Sequence, residues 1–268
     1  MPDTRWAISL EVLEVNGLLS VQGAAQWGRR HFGVPEGGAW DTEASRAANA
    51  QLGNSPDALV LELSMARLVL KATTEISITT AGAPAAIHGT RRGYEIGETM
   101  LLEAGEAVEF GVPPEFVRTY VAIPGGIQGI ERGTLLRPGV ILAGGDLFAG
   151  APSRLSYKPE VPSVLSLIPC GADSLPTELL SSTYTVGFRS NRVGIRLEGP
   201  GLEPRPESLS EPACHGMVQL DNSGSLIILG PDGPTIGGYP KLGVIPTPQL
   251  HHLAQLRPGA TVKFQIQS

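Results

Sequence analysis

The chain has 268 residues, 41% of them hydrophobic, with 34 glycines and 23 prolines: enough for one large or two small domains, and rich in turn formers. Its net charge of -6 argues against a nucleic-acid partner, which needs a basic face to neutralise phosphates. No apolar run approaches the roughly 20 residues of a membrane span, and the start lacks a basic segment leading into an apolar stretch, so a cytoplasmic protein with no membrane partner is expected.

The turn-residue excess favours many short strands joined by tight turns, a mainly β fold with a few short helices. Glu11 to Gln22 alternates apolar and polar residues, and Asn16-Gly17 in its middle predicts a hairpin between two short strands. Gly23 to Gly38 has no period and carries Gln26, Trp27, Arg29, Arg30 and His31. Irregular segments of this length with clustered polar and aromatic residues often serve function, which makes His31 a candidate substrate contact; a solvated basic patch is the competing reading.

The first helix is predicted from Asp41 to Leu52. Asp41 is a good N-cap, Ala44, Ala47, Ala48 and Leu52 share a face, and Gly53 suits the position after the end. Asn49, in its last turns, reads either as a buried polar anchor or as a side chain facing the preceding loop, and it joins the candidate substrate contacts.

Strands follow at Leu59 to Leu63, Ala66 to Lys71, Glu75 to Thr80, Ala85 to His88, Thr99 to Leu102, Ala107 to Phe110, Val117 to Ile123 and Val140 to Phe148, the last holding a turn at Gly144-Gly145-Asp146. Ala151 to Pro162 is proline-rich and aperiodic and reads as a linker. It divides the chain into lobes of residues 1–150 and 151–268. The second half repeats the style with strands at Val164 to Ile168, Thr183 to Phe188, Ile195 to Leu197, Met217 to Leu220, Leu226 to Leu229 and Thr261 to Ile266. Pro248 to Leu253 is a short helix with Thr247 as its expected N-cap. Leu102-Glu-Ala-Gly105-Glu-Ala-Val108-Glu-Phe110 repeats as Leu256-Arg-Pro-Gly259-Ala-Thr-Val262-Lys-Phe264, matching at the leucine, glycine, valine and phenylalanine, which points to two related β-barrel lobes.

Two stretches carry chemistry. Ser190-Asn191-Arg192-Val193-Gly194-Ile195-Arg196 places two guanidiniums at a glycine turn, a pairing suited to carboxylate or phosphate; the alternative is an ion pair with an acid such as Glu198 or Glu211. Gly230-Pro231-Asp232-Gly233-Pro234-Thr235-Ile236-Gly237-Gly238-Tyr239-Pro240-Lys241 holds a carboxylate, a hydroxyl, a phenol and an ammonium in a segment whose glycines and prolines forbid a helix or a central strand. It reads as a site loop or as a purely structural turn. Common templates fail: there is no phosphate-binding lysine loop, no nucleophile elbow, and no zinc spacing among the histidines or between Cys170 and Cys214, which read as reduced thiols.

Val21-Gln22 through Gly33-Val34-Pro35, Gly38-Ala39-x-Asp41, Ala48-Asn49, Gly53-Asn54, Arg192-x-Gly194-x-Arg196-Leu197, Gln219, Thr235-x-Gly237-Gly238-Tyr239-Pro240-Lys241 and Gln255-Leu256-Arg257-Pro258-Gly259 together resemble the family of 5-oxoprolinase C subunits. That family is also called allophanate hydrolase subunit 2 or the biotin-dependent carboxyltransferase family. The resemblance implies two cyclophilin-like β-barrel lobes and, as partner, a B subunit of related fold. With a separate A subunit, such proteins cleave 5-oxoproline to glutamate using ATP, with magnesium as the companion ion. Relatives move a carboxyl group from carboxybiotin to urea, and others act as non-catalytic binding partners that antagonise a kinase inhibitor. On this resemblance the chain is a small-molecule enzyme subunit needing its partners. Asp232, Lys241 and Tyr239 are its candidate catalytic groups, and Arg192, Asn191, Thr235, Gly237, Gly238, His31 and Asn49 its candidate substrate contacts. Four departures stand out: Gly23 where the family has an acid, Gln26 where it has an arginine, Glu131 within a shortened segment after Pro124-Gly125-Gly126-Ile127, and Gly233-Pro234 where Arg-Gln is common. The chain has no biotinyl-lysine motif, so any carboxybiotin would come from another chain.

Overall fold

The computed structural model describes residues 9–145, 157–170, 175–206 and 209–267. It is mainly β, in two compact units: Met1–Ala24 with Asp41–Pro159, and Ala25–Trp40 with Glu160–Ser268. The irregular stretch 25–40, counted above with the N-terminal lobe, thus groups with the second unit. Residues 151–156 of the expected linker, and 146–148 of the strand expected to reach Phe148, lie outside the described residues.

The first unit holds nine strands: β1 (Ser9–Gln22), β2 (Val60–Ala72), β3 (Ile76–Gly82), β4 (Ile87–Gly89), β5 (Gly93–Tyr94), β6 (Met100–Leu102), β7 (Ala107–Phe110), β8 (Arg118–Ala122) and β9 (Ile141–Ala143). They form one sheet in the order β5-β4-β7-β2-β8-β3-β6, with β1 joining β2 to β9. β2 organises it. One edge pairs with β1 along its length, and the other is shared between β8 at Leu61 to Ser64 and β7 at Leu68 to Lys71. The changeover falls at Met65, the one described non-glycine residue with positive φ (46°), so two strands expected from the sequence are one bent strand.

The predicted Asn16-Gly17 hairpin is a bulge instead. Asn16 pairs with Arg67 and Leu18 with Ser64, and Gly17 takes φ 118° where a Cβ would sit 2.6 Å from the Ala66 Cα. Continuous pairing with β2 outweighs the local turn preference. Alternation sends Leu10, Val12, Leu19, Val21, Leu61, Leu63, Leu68 and Leu70 into one core. At Gly23 a Cβ would lie 2.7 Å from the Leu59 Cδ2, so a side chain there requires the Leu59 side chain to shift.

Helix α1 (Thr42–Gln51) begins where the sequence predicts, with the Asp41 side chain accepting from the Ala44 N–H. It closes with the Gly53 N–H on the Ala50 carbonyl and the Asn54 N–H on the Asn49 carbonyl, a Schellman end with Gly53 at φ 66°.

The second unit is a closed barrel of β10 (Val164–Pro169), β11 (Tyr184–Val186), β12 (Gly194–Glu198), β14 (Met217–Leu220), β15 (Leu226–Leu229), β17 (Lys241–Val244) and β18 (Thr261–Ile266), in the order β10-β17-β14-β15-β12-β11-β18. Parallel pairing of β10 with β18 closes it. The short β13 (Glu211–Pro212) and β16 (Ile236–Gly237) pair separately, and α2 (Thr177–Ser181) and α3 (Leu250–Leu253) complete the unit. Thr247 opens a 3₁₀ turn rather than capping the helix from outside: its N-cap is Pro246, with no side-chain cap bond, and Pro248 fills an early helical position.

The repeated nine residues adopt the same turn in both units. Gly105 and Gly259 sit at φ 90° and 89°, and their N–H groups donate to the Ala72 and Val186 carbonyls. Each turn closes with a bond three residues back (Glu106 to Glu103, Ala260 to Arg257) and feeds a strand burying Val108 and Phe110, or Val262 and Phe264. Among the described residues no helix is long and apolar enough to cross a membrane.

Candidate functional site

Strand alternation creates the site. Ile195, Leu197, Val218, Leu220, Leu226 and Ile228 fill the second barrel, so the residues between them face outward. The pairing register aligns these: Arg196 lies opposite Ile227, Ile227 opposite Gln219, and Gln219 opposite Lys241. A row of four side chains therefore crosses β12, β15, β14 and β17 on the outer face. Above it opens a cleft of about 500 Å³ lined by Asn191, Val193, Gly194, Arg196, Gln219, Ile227, Leu229, Pro234, Gly237, Gly238 and Tyr239. Its floor is apolar, its rim polar, with one guanidinium, the usual make-up of a small-molecule site.

The loop from 230 to 240 roofs this face and is fastened at its start. Gly230 donates to the Val193 carbonyl and Asp232 to the Arg192 carbonyl. A Cβ on Gly230 would meet the Arg192 carbonyl oxygen at 2.2 Å, so only glycine fits. The Arg192 guanidinium grips Asp232 twice, Nε to Oδ2 at 2.7 Å and Nη2 to Oδ1 at 2.9 Å, and Nη2 also donates to the Gly38 carbonyl at 2.7 Å. Gly37 N–H donates to the Pro231 carbonyl, so the 37–38 segment and the loop are bound on both sides of the ion pair.

His215 lies beside this cluster, edge-on to Trp40 with ring centroids 6.0 Å apart. Burial, reinforced by the Arg192 charge and opposed by Asp232, lowers its pKa to about 4, and its Nε2 is buried with no hydrogen-bond partner among the described residues. It is a neutral histidine at physiological pH.

Of the residues singled out from sequence, Asn191, Gly237, Gly238 and Tyr239 line the cleft together. Asn191 Oδ1 is occupied by the Val193 N–H. Thr235 is buried, its carbonyl accepting from Ala213. Arg192 and Asp232 neutralise each other, so the acid partnering Arg192 is Asp232 rather than Glu198 or Glu211. Lys241 is the first residue of a barrel strand, not a loop lysine, and its Nζ pairs with the Glu211 carboxylate. His31 is exposed, its ring tilted 42° against that of Phe32 with centroids 3.9 Å apart, and neighbouring Arg30 pairs with Glu36. Asn49 belongs to the first unit. It is fully buried, donating to the Ala58 carbonyl and accepting from the Asn54 amide, which is the anchor reading.

Sequence reasoning missed His215, and it valued Gln219 only as part of a resemblance. The signal for Gln219 was present: Met217-Val218-Gln219-Leu220 alternates, which puts Gln219 opposite the two core residues. Among the described residues no group of three or more His, Cys, Asp or Glu side chains is arranged to hold a metal ion.

The family model for "Carboxyltransferase domain, subdomain A and B" matches residues 32–132 and 172–266. The chain belongs to the carboxyltransferase-domain family. Within this family the chain is 27% identical to the 5-oxoprolinase C subunit of Escherichia coli, over 95% of this chain and 90% of that protein. It is also 27% identical to the urea amidolyase of Lachancea kluyveri, over 87% of this chain but 15% of that protein. Among solved structures, that of TTHA0988 superposes with a TM-score of 0.88 at 27% identity, covering 99% of this chain; the chain spans 57% of TTHA0988. The cleft is thus formed entirely within the second of the two segments that the carboxyltransferase-domain model matches.

Proposed function

We propose that this chain is the C subunit of a 5-oxoprolinase, working with a B subunit of related fold and an A subunit to open 5-oxoproline to glutamate at the expense of ATP. The observation that carries this reading is the near end-to-end likeness to a protein of that name, joined to a cleft whose size and lining suit a small polar ring. The net reaction breaks the lactam C–N bond. One water supplies hydroxyl to the carbonyl carbon and a proton to the nitrogen, and a second takes up the γ-phosphoryl group of ATP, leaving ADP and phosphate. Tyr239, with the Gly237-Gly238 backbone, forms the wall against which the substrate sits. Asp232 and Lys241 act through the ion pairs that hold this wall, as positioning residues.

In this reading the nucleotide lies outside this cleft. Arg196 is the sole cation among its lining residues, too little charge for a triphosphate. ATP with its magnesium therefore belongs on one of the partners in this reading, and the complex resides in the cytoplasm, in keeping with two free thiols.

The test is co-expression with the A and B subunits. A stable complex that forms glutamate from 5-oxoproline only with ATP and only when this chain is present is the expected result. A complex equally active without the chain would refute the reading. The likeness to urea amidolyase supports a second reading, carboxyl transfer from carboxybiotin on another chain to an amide such as urea. Biotin-dependent carboxylation of urea in the same preparation would establish it instead.

A further inference from the structure

We propose that Gln219 reads the amide edge of the substrate and Arg196 its anionic group, so that the cleft selects a small cyclic amide bearing a negative charge. The inference rests on the cleft being the substrate site of the proposed enzyme. It starts from an amide with spare hydrogen-bonding capacity at the cleft. Gln219 is 3% exposed, yet its side-chain amide has a single hydrogen bond, Nε2 to the Met217 Sδ at 3.9 Å, and the thioether is a weak acceptor. Its Oε1 meets no donor among the described residues. Buried amides are ordinarily satisfied, and this one borders the cleft. Whichever way it is turned, a primary amide offers one N–H and one carbonyl side by side. That edge is complementary to the N–H and carbonyl of a cis amide, the geometry a small lactam ring enforces.

Register sets the scale. Gln219 and Arg196 both pair with Ile227, on its two sides. With neighbouring strands ~4.8 Å apart, the backbones of Gln219 and Arg196 are separated by about 10 Å with an apolar floor between. A five- or six-membered ring spans that floor with its amide towards Gln219 and its charge within reach of the Arg196 guanidinium, which forms no salt bridge among the described residues. Gly237 completes the arrangement overhead: a Cβ there would stand 3.7 Å from the Gln219 Nε2, so the roof comes close to the amide.

The experiment is calorimetric titration of the full chain with 5-oxoproline, free proline (no lactam carbonyl), 2-pyrrolidone (no carboxylate) and 2-imidazolidone (a cyclic urea). The wild type should bind 5-oxoproline most tightly. Gln219→Met, close in volume, should weaken it about tenfold or more and erase the preference over proline. Arg196→Gln should erase the preference over 2-pyrrolidone. Gln219→Glu serves if the methionine variant melts early. A wild type that binds none of these ligands, or a Gln219→Met chain that melts normally and binds 5-oxoproline like wild type, overturns the proposal, as does tighter binding of the cyclic urea. Glutamate formation by the complex is a separate readout. Gln219-dependent binding without it removes the oxoprolinase reading and leaves this one; an active complex whose KM ignores Gln219→Met does the reverse.

Discussion

Arg192 and Asp232 meet in a two-pronged ion pair, with both guanidinium–carboxylate contacts under 3 Å, and the same guanidinium holds the Gly38 carbonyl. One side chain thus fixes the start of the site loop and the segment before Trp40. The pair is partly shielded, with side-chain exposures of 14% and 37%. Arg192→Lys keeps the charge but loses the fork, and should cost roughly 1–2 kcal/mol. In a double-mutant cycle, Arg192→Ala and Asp232→Ala should show coupling of about 1 kcal/mol or more. Independent effects on chemical denaturation would dismiss the pair as the fastening.

His215 makes stability depend on pH. Its folded pKa of about 4 lies below the ordinary 6.5, so between these values the unfolded chain binds the extra proton. The contribution is full above pH 6.5 and fades as pH falls towards 4, a loss of roughly 2–3 kcal/mol. His215→Gln should flatten the stability profile across that window. A variant as acid-sensitive as wild type would locate the sensitivity elsewhere.

Lys241 separates a catalytic role from a positioning one. Its Glu211 partner is 60% exposed, so the pair should contribute less than about 1 kcal/mol to stability. If Lys241 acts by holding β13 and β17 in place, Glu211→Gln lowers turnover by a factor like that of Lys241→Ala. If it contacts the reacting atoms, Lys241→Ala is far the more damaging of the two. Parallel turnover measurements with melting curves decide.

Tyr120 is the polar keystone of the first unit. Its hydroxyl donates to the Glu62 Oε2 and accepts from the Asp41 N–H, both at 2.8 Å, while Glu62 faces Arg118 at 3.4 Å. Burial, with the Glu62 and Asp41 charges, drives the phenol pKa well above its usual value, so it stays protonated. Tyr120→Phe removes one hydrogen bond from each of two buried partners and should destabilise the chain by about 1–3 kcal/mol. A melting temperature unchanged within about a degree would contradict this.

The barrel strands were legible because each is a short apolar or alternating run close to a glycine: Met217 to Leu220, Leu226 to Leu229 and Thr261 to Ile266 appear as read. The helix at Thr42 was legible through its cap and its closing glycine. What misled was local turn chemistry overridden by pairing, at Asn16-Gly17, and a bend at Ser64-Met65 that no glycine or proline announces. Within the site, the loop glycines and Tyr239 were visible by composition. The pairing of Arg192 with Asp232, 40 positions apart, and the row from Arg196 to Lys241 depend on strand register, which a single sequence does not display.

The central claim is that the cleft on the outer face of the second barrel holds the substrate. Gly237 tests it most directly, since its φ is not positive and its surroundings accept a Cβ without a clash. A leucine there should leave melting temperature and complex assembly unchanged while filling the cleft. Glutamate formation from 5-oxoproline by the reconstituted complex is the measurement. The account predicts that Gly237→Ala retains much of the wild-type rate and that Gly237→Leu falls at least about a hundredfold; a Gly237→Leu complex turning over at the wild-type rate would show that the substrate lies elsewhere.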